Sequence, residues 1–432
     1  MRHIEELILF RNLCNNRCFR DMTELIRRFD KGDASFGRMD LDRFSTALSD
    51  LIEIAVSHGF SGELWKDFLA LSLVRDENAY SLSAEQKGRS SGSLSVAAES
   101  DLSLIREYYN YDMEKLAKAL GLHKPELLRS FELPDEAGNV FSKRIRDRIM
   151  ELAAALTAAE DDGEFQSALE RFYKEFGTGS IGLHKVFRIS EGKKKEVLIR
   201  PIRRIEHANL SDLVGLEIQK KKLTDNTEAF VAGKPANNCL LYGDAGTGKS
   251  SSIKALANRY FERGLRIIEL YKHQLYLLPG VIDAVKSRNY RFIIYMDDLS
   301  FEDFETDYKY LKAVIEGGLE KKPENVLIYA TSNRRHLIRE SFTDRDASDL
   351  HQGDTVQEKQ SLSARFGVTI YFGAPTPDEF REIVRVLARE KGIDLPEKEL
   401  LARANEWEQK HGGRSGRTAQ QFINYLLGQQ AM

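Results

Sequence analysis

Gly243-Asp244-Ala245-Gly246-Thr247-Gly248-Lys249-Ser250 constrains this chain more than any other run in it. The run satisfies G-x-x-x-x-G-K-[ST] at every fixed position. A short apolar stretch, Cys239–Tyr242, precedes it, and a helical pattern, Ser251–Tyr260, follows. Glycines let the main chain bend closely enough for successive N–H groups to face one anion. The helix N-terminus behind the turn adds a partial positive charge of about half a unit. A phosphate cradle is therefore expected from Gly243, Asp244, Ala245, Gly246, Thr247, Gly248, Lys249, Ser250 and Ser251. Lys249 is expected to reach the outer phosphates, and the Ser250 hydroxyl to hold Mg2+.

A cradle binds; hydrolysis also needs a metal, a placed water and charge neutralisation. Phe292-Ile293-Ile294-Tyr295-Met296-Asp297-Asp298 is an apolar strand that ends in two carboxylates. Asp297 is expected in the Mg2+ shell beside Ser250, and Asp298 is expected to polarise the attacking water. A third strand, Val326–Ala330, runs into Thr331-Ser332-Asn333. That puts the Asn333 amide at a strand's C-terminal end, where open α/β sheets bind ligands. A second glycine run, Gly177–Gly182, fits G-x-G-x-x-G but follows a helical pattern, so it reads as a helix cap and turn.

Around the cradle, short apolar strands alternate with helical segments: Cys239–Tyr242, Arg266–Leu270, Phe292–Met296, Val326–Ala330 and Val368–Phe372. That alternation predicts a parallel sheet with helices on both faces. The expected organisation is a helical region over 1–80, a flexible Ser/Gly-rich loop over 81–101 and a helical region over 102–177. A β-hairpin or linker over 178–208, an α/β nucleotide-binding domain over 209–374 and a helical lid over 375–432 complete it. Thr376-Pro377-Asp378-Glu379 has the cap, proline and glutamate spacing of a helix start.

With 432 residues, 42% hydrophobic and 30% charged, the chain can build two or three conventional cores. A formal charge of −3 gives no nucleic-acid footprint. The basic runs at 193–195, 200–204 and 220–222 read as solvated faces. Cys14, Cys18 and Cys239 form no disulfide framework and have no partners spaced for zinc. No stretch of 18 apolar residues and no leader pattern occurs, so a cytoplasmic protein with no membrane partner is expected.

Together these elements resemble the AAA+ ATPases, in which an amide placed like Asn333 is sensor 1. The runs GKPANNCLLYGDAGTGKSS, MDDLSFE, NVLIYATSNRRHLI and SLSARFG resemble, more narrowly, a bacterial AAA+ family known only as a domain of unknown function. The resemblance covers residue 209 to the C-terminus. It implies an α/β P-loop NTPase fold with a C-terminal helical lid, ATP and Mg2+ as ligands, and a mainly helical N-terminal region outside it. It also implies that Val214 and Gly215 pack against adenine and that Arg365 is an arginine finger offered to a neighbouring subunit. Arg417 resembles sensor 2, with Arg414 competing. A finger acting in trans implies a homo-oligomer.

Two departures bear on function. Many AAA+ proteins carry Asp-Glu where this chain has Asp297-Asp298, one methylene shorter, with Glu302 near enough in sequence to substitute. The stretch after the second strand has Tyr276 but lacks the tight aromatic–hydrophobic–glycine motif of protein-threading machines. Three functions remain open: remodelling or assembly of a protein client, a nucleic-acid-associated loader disfavoured by the charge balance, and a slow nucleotide-gated switch.

Overall fold

The computed structural model describes residues 1–32, 36–133, 142–192, 196–202, 205, 208–302, 305–316, 323–335, 337 and 362–430. Outside them lie Lys193–Lys195, Arg203 and Arg204 of the basic runs, and His336, Ile338 and Ser361 of the family-like runs. The described chain forms two compact units, Met1–Leu183 and His184–Met432.

The first unit is helical: α1 Arg17–Asp30, α2 Arg38–His58, α3 Leu64–Arg75, α4 Ala79–Lys87, α5 Ser93–Tyr109, α6 Met113–Ala119, α7 Lys143–Ala158, α8 Asp162–Phe176 and α9 Gly179–Leu183. Helical spacing selects the buried faces. α2 buries Phe44, Ala47, Leu48, Leu51 and Ala55, then stops at Gly59, whose φ of 79° suits a left-handed cap. Asp161 caps α8 by accepting the Glu164 N–H.

The expected loop over 81–101 is instead helix on both sides of a short turn. Asn78 and Ser81 cap α4 reciprocally, and Gly88 ends it at φ 84°. Ser81, which looks like a linker residue, thus serves in a cap, and small side chains do the packing. Ala84 and Ala98 are fully buried, in one core with Tyr80, Ile105 and Tyr109. Buried Asp101 on α5 accepts the N–H groups of Ile8, Leu9 and Phe10, which pins the N-terminal segment.

The Gly177–Gly182 run ends α8 and turns into α9. A Cβ on Gly179 would stand 1.7 Å from Glu77, so the run is a packed turn.

The second unit holds a seven-stranded sheet. Its elements are β1 Val186–Glu191, β2 Val197–Pro201, α10 Glu217–Val231, β3 Cys239–Gly243, α11 Lys249–Tyr260, β4 Leu265–Glu269 and α12 Leu278–Val285, followed by β5 Arg291–Met296, α13 Tyr308–Glu316, β6 Val326–Ser332 and β7 Val368–Phe372. The strand order is β2-β1-β4-β5-β6-β3-β7. Every neighbouring pair is parallel except β1 with β2.

Cys239 and Leu241, Ile293 and Tyr295, and Leu327 and Tyr329 share one core with Leu223 and Phe230 of α10 and Ile253 and Leu256 of α11. The alternate residues Leu240, Ile294 and Ile328 are buried as well, as a sheet covered on both faces requires.

The hairpin expected as a linker over 178–208 belongs to this sheet. β1 pairs with β4 through Val186–Ile267, Phe187–Ile268 and Arg188–Glu269, and buries Phe187 and Ile189. The α/β unit therefore begins before residue 209. This pairing between strands distant in sequence covers what would otherwise be an open edge of β4.

Behind β7, α14 Pro377–Glu390, α15 Glu397–Lys410 and α16 Gly416–Gln430 close a small core around Phe380, Val384, Leu400, Phe422 and Ile423. Thr376 and Glu379 form a capping box at the start of α14.

Among the described residues no helix is long and apolar enough to cross a membrane. None of them forms a His/Cys/Asp/Glu cluster able to hold a metal, and the three cysteines are free.

Candidate functional site

The C-terminal ends of β5, β6, β3 and β7 lie side by side in that order, and each delivers one part of a site. From β3 comes the glycine turn. Gly243 has φ 134°, and a Cβ there would sit 2.1 Å from the Phe372 carbonyl oxygen of β7. Only glycine admits that approach. The turn is tied down by Asp244, whose N–H donates to Phe372 O at 3.0 Å and whose Oδ2 accepts the Ala374 N–H at 2.9 Å. Thr247 Oγ1 donates to Asp244 O at 2.8 Å. Gly246 and Gly248 follow at φ 75° and 97°, the second serving as N-cap of α11.

Lys249 opens α11 and folds back over the turn. Its Nζ donates to Gly243 O at 2.8 Å, Asp244 O at 2.6 Å and Asn333 Oδ1 at 3.0 Å. The side chain is nearly buried. Burial holds its pKa below the usual lysine value, against the opposing charges of Asp244, Asp298 and Asp297.

Asn333 stands at the end of β6, between the strand of the glycine turn and the strand of the carboxylates. Its Oδ1 takes Lys249, while its Nδ2 donates to Asp298 Oδ1 at 2.8 Å. Strand order alone makes that bridge available: β6 separates β3 from β5.

Asp297 lies beside the turn. Ser250 Oγ donates to its Oδ1 at 2.8 Å, and so do Tyr295 OH and Thr331 Oγ1, each at 2.6 Å. Burial would raise this carboxyl, but the hydroxyls of Thr331, Tyr295 and Ser250 and the Asp298 N–H hold it below its usual range. The phenol of Tyr295 is pushed up by burial and by the Asp297 charge. Asp298 has φ 49°, alone among the described non-glycine residues in being left-handed, and its N–H donates to Thr331 Oγ1 at 2.9 Å. Holding a non-glycine residue there costs about 1–2 kcal/mol.

The other expected positions divide. Leu213 and Leu216 flank Val214 and Gly215 and press on Gly248, where a Cβ would meet them at 3.5 and 3.1 Å. The segment of Val214 and Gly215 therefore lies along the turn. Arg417, at the start of α16, donates its N–H to Gly246 O at 3.2 Å, and its charge acts on Lys249. Arg414 bonds Pro375 O and pairs with Glu408. Of the two arginines, Arg417 is the one at the turn.

Arg365 has a different setting, half-buried after a helical turn at 362–364 and three residues before β7. Glu302 donates its N–H to Glu305 and lies 3.9 Å from Arg334. Tyr276 is exposed and bonds Glu191 of β1.

Sequence reading did not anticipate Tyr295 or Thr331 as partners of Asp297. Tyr295 carried a usable signal: it stands two residues before Asp297 at the end of an apolar strand, a spacing that favours the same face.

Both implied ligands fit these residues. A turn with three positive-φ glycines, one of them with no room for a Cβ, is shaped for close main-chain approach to phosphate. A hydroxyl and a carboxylate 2.8 Å apart offer the hard oxygen donors that Mg2+ takes.

Residues 183–430 match the family described as "Protein of unknown function (DUF815)". A 62-residue stretch is 40% identical to the replication factor C large subunit of Staphylothermus marinus and spans 14% of each chain. Solved structures of Thermotoga maritima RuvB also match. One of its point mutants has a TM-score of 0.33 at 16% identity over 51% of this chain and 72% of that one. The structure described as the Holliday junction branch migration motor gives 0.31 and 14% over the same shares. The mostly parallel sheet, the glycine turn after β3 and the helical tail are the arrangement expected from the sequence for an α/β P-loop unit.

Proposed function

The chain belongs to the family described as "Protein of unknown function (DUF815)", and on that premise we propose that it is a Mg2+-dependent ATPase that remodels or assembles a protein client. One observation carries the reading: Ser250 bonds Asp297, and Lys249, Asn333 and Asp298 form a continuous relay across the ends of three strands.

In this reading the N–H groups of the turn take the β-phosphate oxygens, and Lys249 exchanges acceptors in the turn for phosphate oxygens. Ser250 and Asp297 hold Mg2+, which when bound neutralises charge on the terminal phosphates. Asp298 and Asn333 orient a water in line with the γ-phosphorus. The water oxygen bonds to phosphorus, the bridging bond to the β-phosphate breaks, and ADP and inorganic phosphate leave. Arg417 adds positive charge from the lid. Arg365 acts on the site of a neighbouring copy, so the working form is a homo-oligomer. The helical unit, Met1–Leu183, is the part available to recruit a client.

A second reading, a slow nucleotide-gated switch, draws support from Asp298, which is short and held by Asn333. Single-turnover hydrolysis by the assembled protein separates the two.

Lys249→Ala tests the shared premise. It should lower ATP affinity by roughly 100-fold or more in a calorimetric titration while the circular dichroism stays unchanged, because both a charge and its phosphate hydrogen bonds are lost. Wild-type affinity in that variant would remove the cradle assignment.

A further inference from the structure

We propose that Tyr295 and Thr331 are positioning residues for the metal site: their hydroxyls fix the Asp297 carboxylate against Ser250 and so set the affinity for the divalent cation. This rests on the nucleotide reading above and adds to it two side chains to which the sequence motifs assign no role.

Three hydroxyls from three elements converge on one oxygen, Asp297 Oδ1. Ser250 comes from α11, Tyr295 from β5 and Thr331 from β6. A lone carboxylate at a strand end can rotate about its last torsion, which is broad and roughly two-fold. Tyr295 and Thr331 remove that freedom, each at 2.6 Å, in the range of a charge-assisted hydrogen bond. Both are anchored: Tyr295 is 5% exposed in a central strand and Thr331 is 1% exposed. Ser250 is the cation's own expected ligand. The remaining two hydroxyls therefore hold the carboxylate whether or not a cation draws on Ser250.

Thr331 does a second thing. While its hydroxyl donates to Asp297, its oxygen accepts the N–H of left-handed Asp298. One threonine thus couples the metal-holding carboxylate to the backbone that carries the water-polarising one. Tyr295 touches only the first. The pair can be told apart by experiment.

The test uses full-length protein, with Mn2+ as the probe, read by electron paramagnetic resonance in the presence of ATP, alongside ATP titration in EDTA. Tyr295→Phe and Thr331→Val should each weaken Mn2+ binding about tenfold or more, the range found when outer-shell partners of metal ligands are removed. Metal-free ATP affinity should stay within about twofold, since neither residue touches the glycine turn. Thr331→Ser restores the hydroxyl and should recover Mn2+ affinity; Thr331→Val should also slow single-turnover hydrolysis more than Tyr295→Phe. Unchanged Mn2+ affinity in Tyr295→Phe and Thr331→Val, with ATP still bound, overturns the assignment and leaves the nucleotide reading intact. Failure of the wild type to bind ATP at all removes both.

Discussion

Asp67 shows how a buried carboxyl contributes to the pH response of the helical unit. It sits on α3 at 6% exposure, and its Oδ2 accepts no hydrogen bond. Burial, reinforced by Glu63 and opposed by Lys66, lifts its pKa from 3.8 to about 7. Below 3.8 both states hold the proton and its stabilising effect is complete. As pH rises from 3.8 to about 7 the unfolded chain gives up a proton that the folded unit keeps, so stability falls through that window. Asp67→Asn removes this contribution. In urea titrations followed by tryptophan fluorescence, with Trp65 packed two residues away on the same helix, the wild type should lose stability from about pH 4 to about pH 7 relative to the variant. At about pH 8 the variant should be more stable by about 4 kcal/mol. Parallel pH curves for the two proteins would mean that Asp67 is charged when folded. The same scale explains Asp298: its left-handed backbone is tolerated because Thr331 accepts its N–H, so the strain sits where a carboxylate must be aimed.

At the scale of elements, what could be read from the sequence follows the size of the buried side chains. β3 and β5 announced themselves because strands covered on both faces are nearly continuous apolar runs. The start of α14 announced itself through Thr376, Pro377 and Glu379, whose capping chemistry is local. α4 and α5 did not. Their buried faces include Ser81, Ala84, Glu85, Ala98 and Asp101, residue types that elsewhere mark a solvated linker. Their stability comes from partners distant in sequence, such as the Ile8–Phe10 N–H groups on Asp101, which periodicity cannot register. The hairpin β1–β2 was visible as a hairpin, but its place in the sheet depends on pairing with β4. The site divides in the same way. Lys249, Ser250, Asp297 and Asn333 stand in runs whose spacing carries the chemistry. Thr331 meets Asp297 only because β6 lies next to β5, so strand order had to be known first.

At the scale of the whole molecule, the open question is whether one chain completes its own site. Lys249, Ser250, Asp297, Asp298, Asn333 and Arg417 gather at the end of one sheet, and in the proposed reading they bind the nucleotide and orient the water. Arg365, in the turn before β7, is the residue proposed to serve a neighbour. Arg365→Ala should keep ATP affinity within about threefold but lose hydrolysis by roughly a thousandfold, the scale of a missing arginine finger. Asp298→Asn should be inactive for a separate reason, because its own water is no longer polarised. Neither lesion is repaired within its own chain. In an equimolar mixture, however, roughly a quarter of the interfaces in a head-to-tail ring pair an intact Asp298 with an intact Arg365. Activity should then reappear at a comparable fraction of wild type and grow with total protein concentration. A mixture no more active than the sum of its parts, under conditions where native mass measurements show mixed oligomers, would confine Arg365 to its own chain. The ring would then have no part in the chemistry.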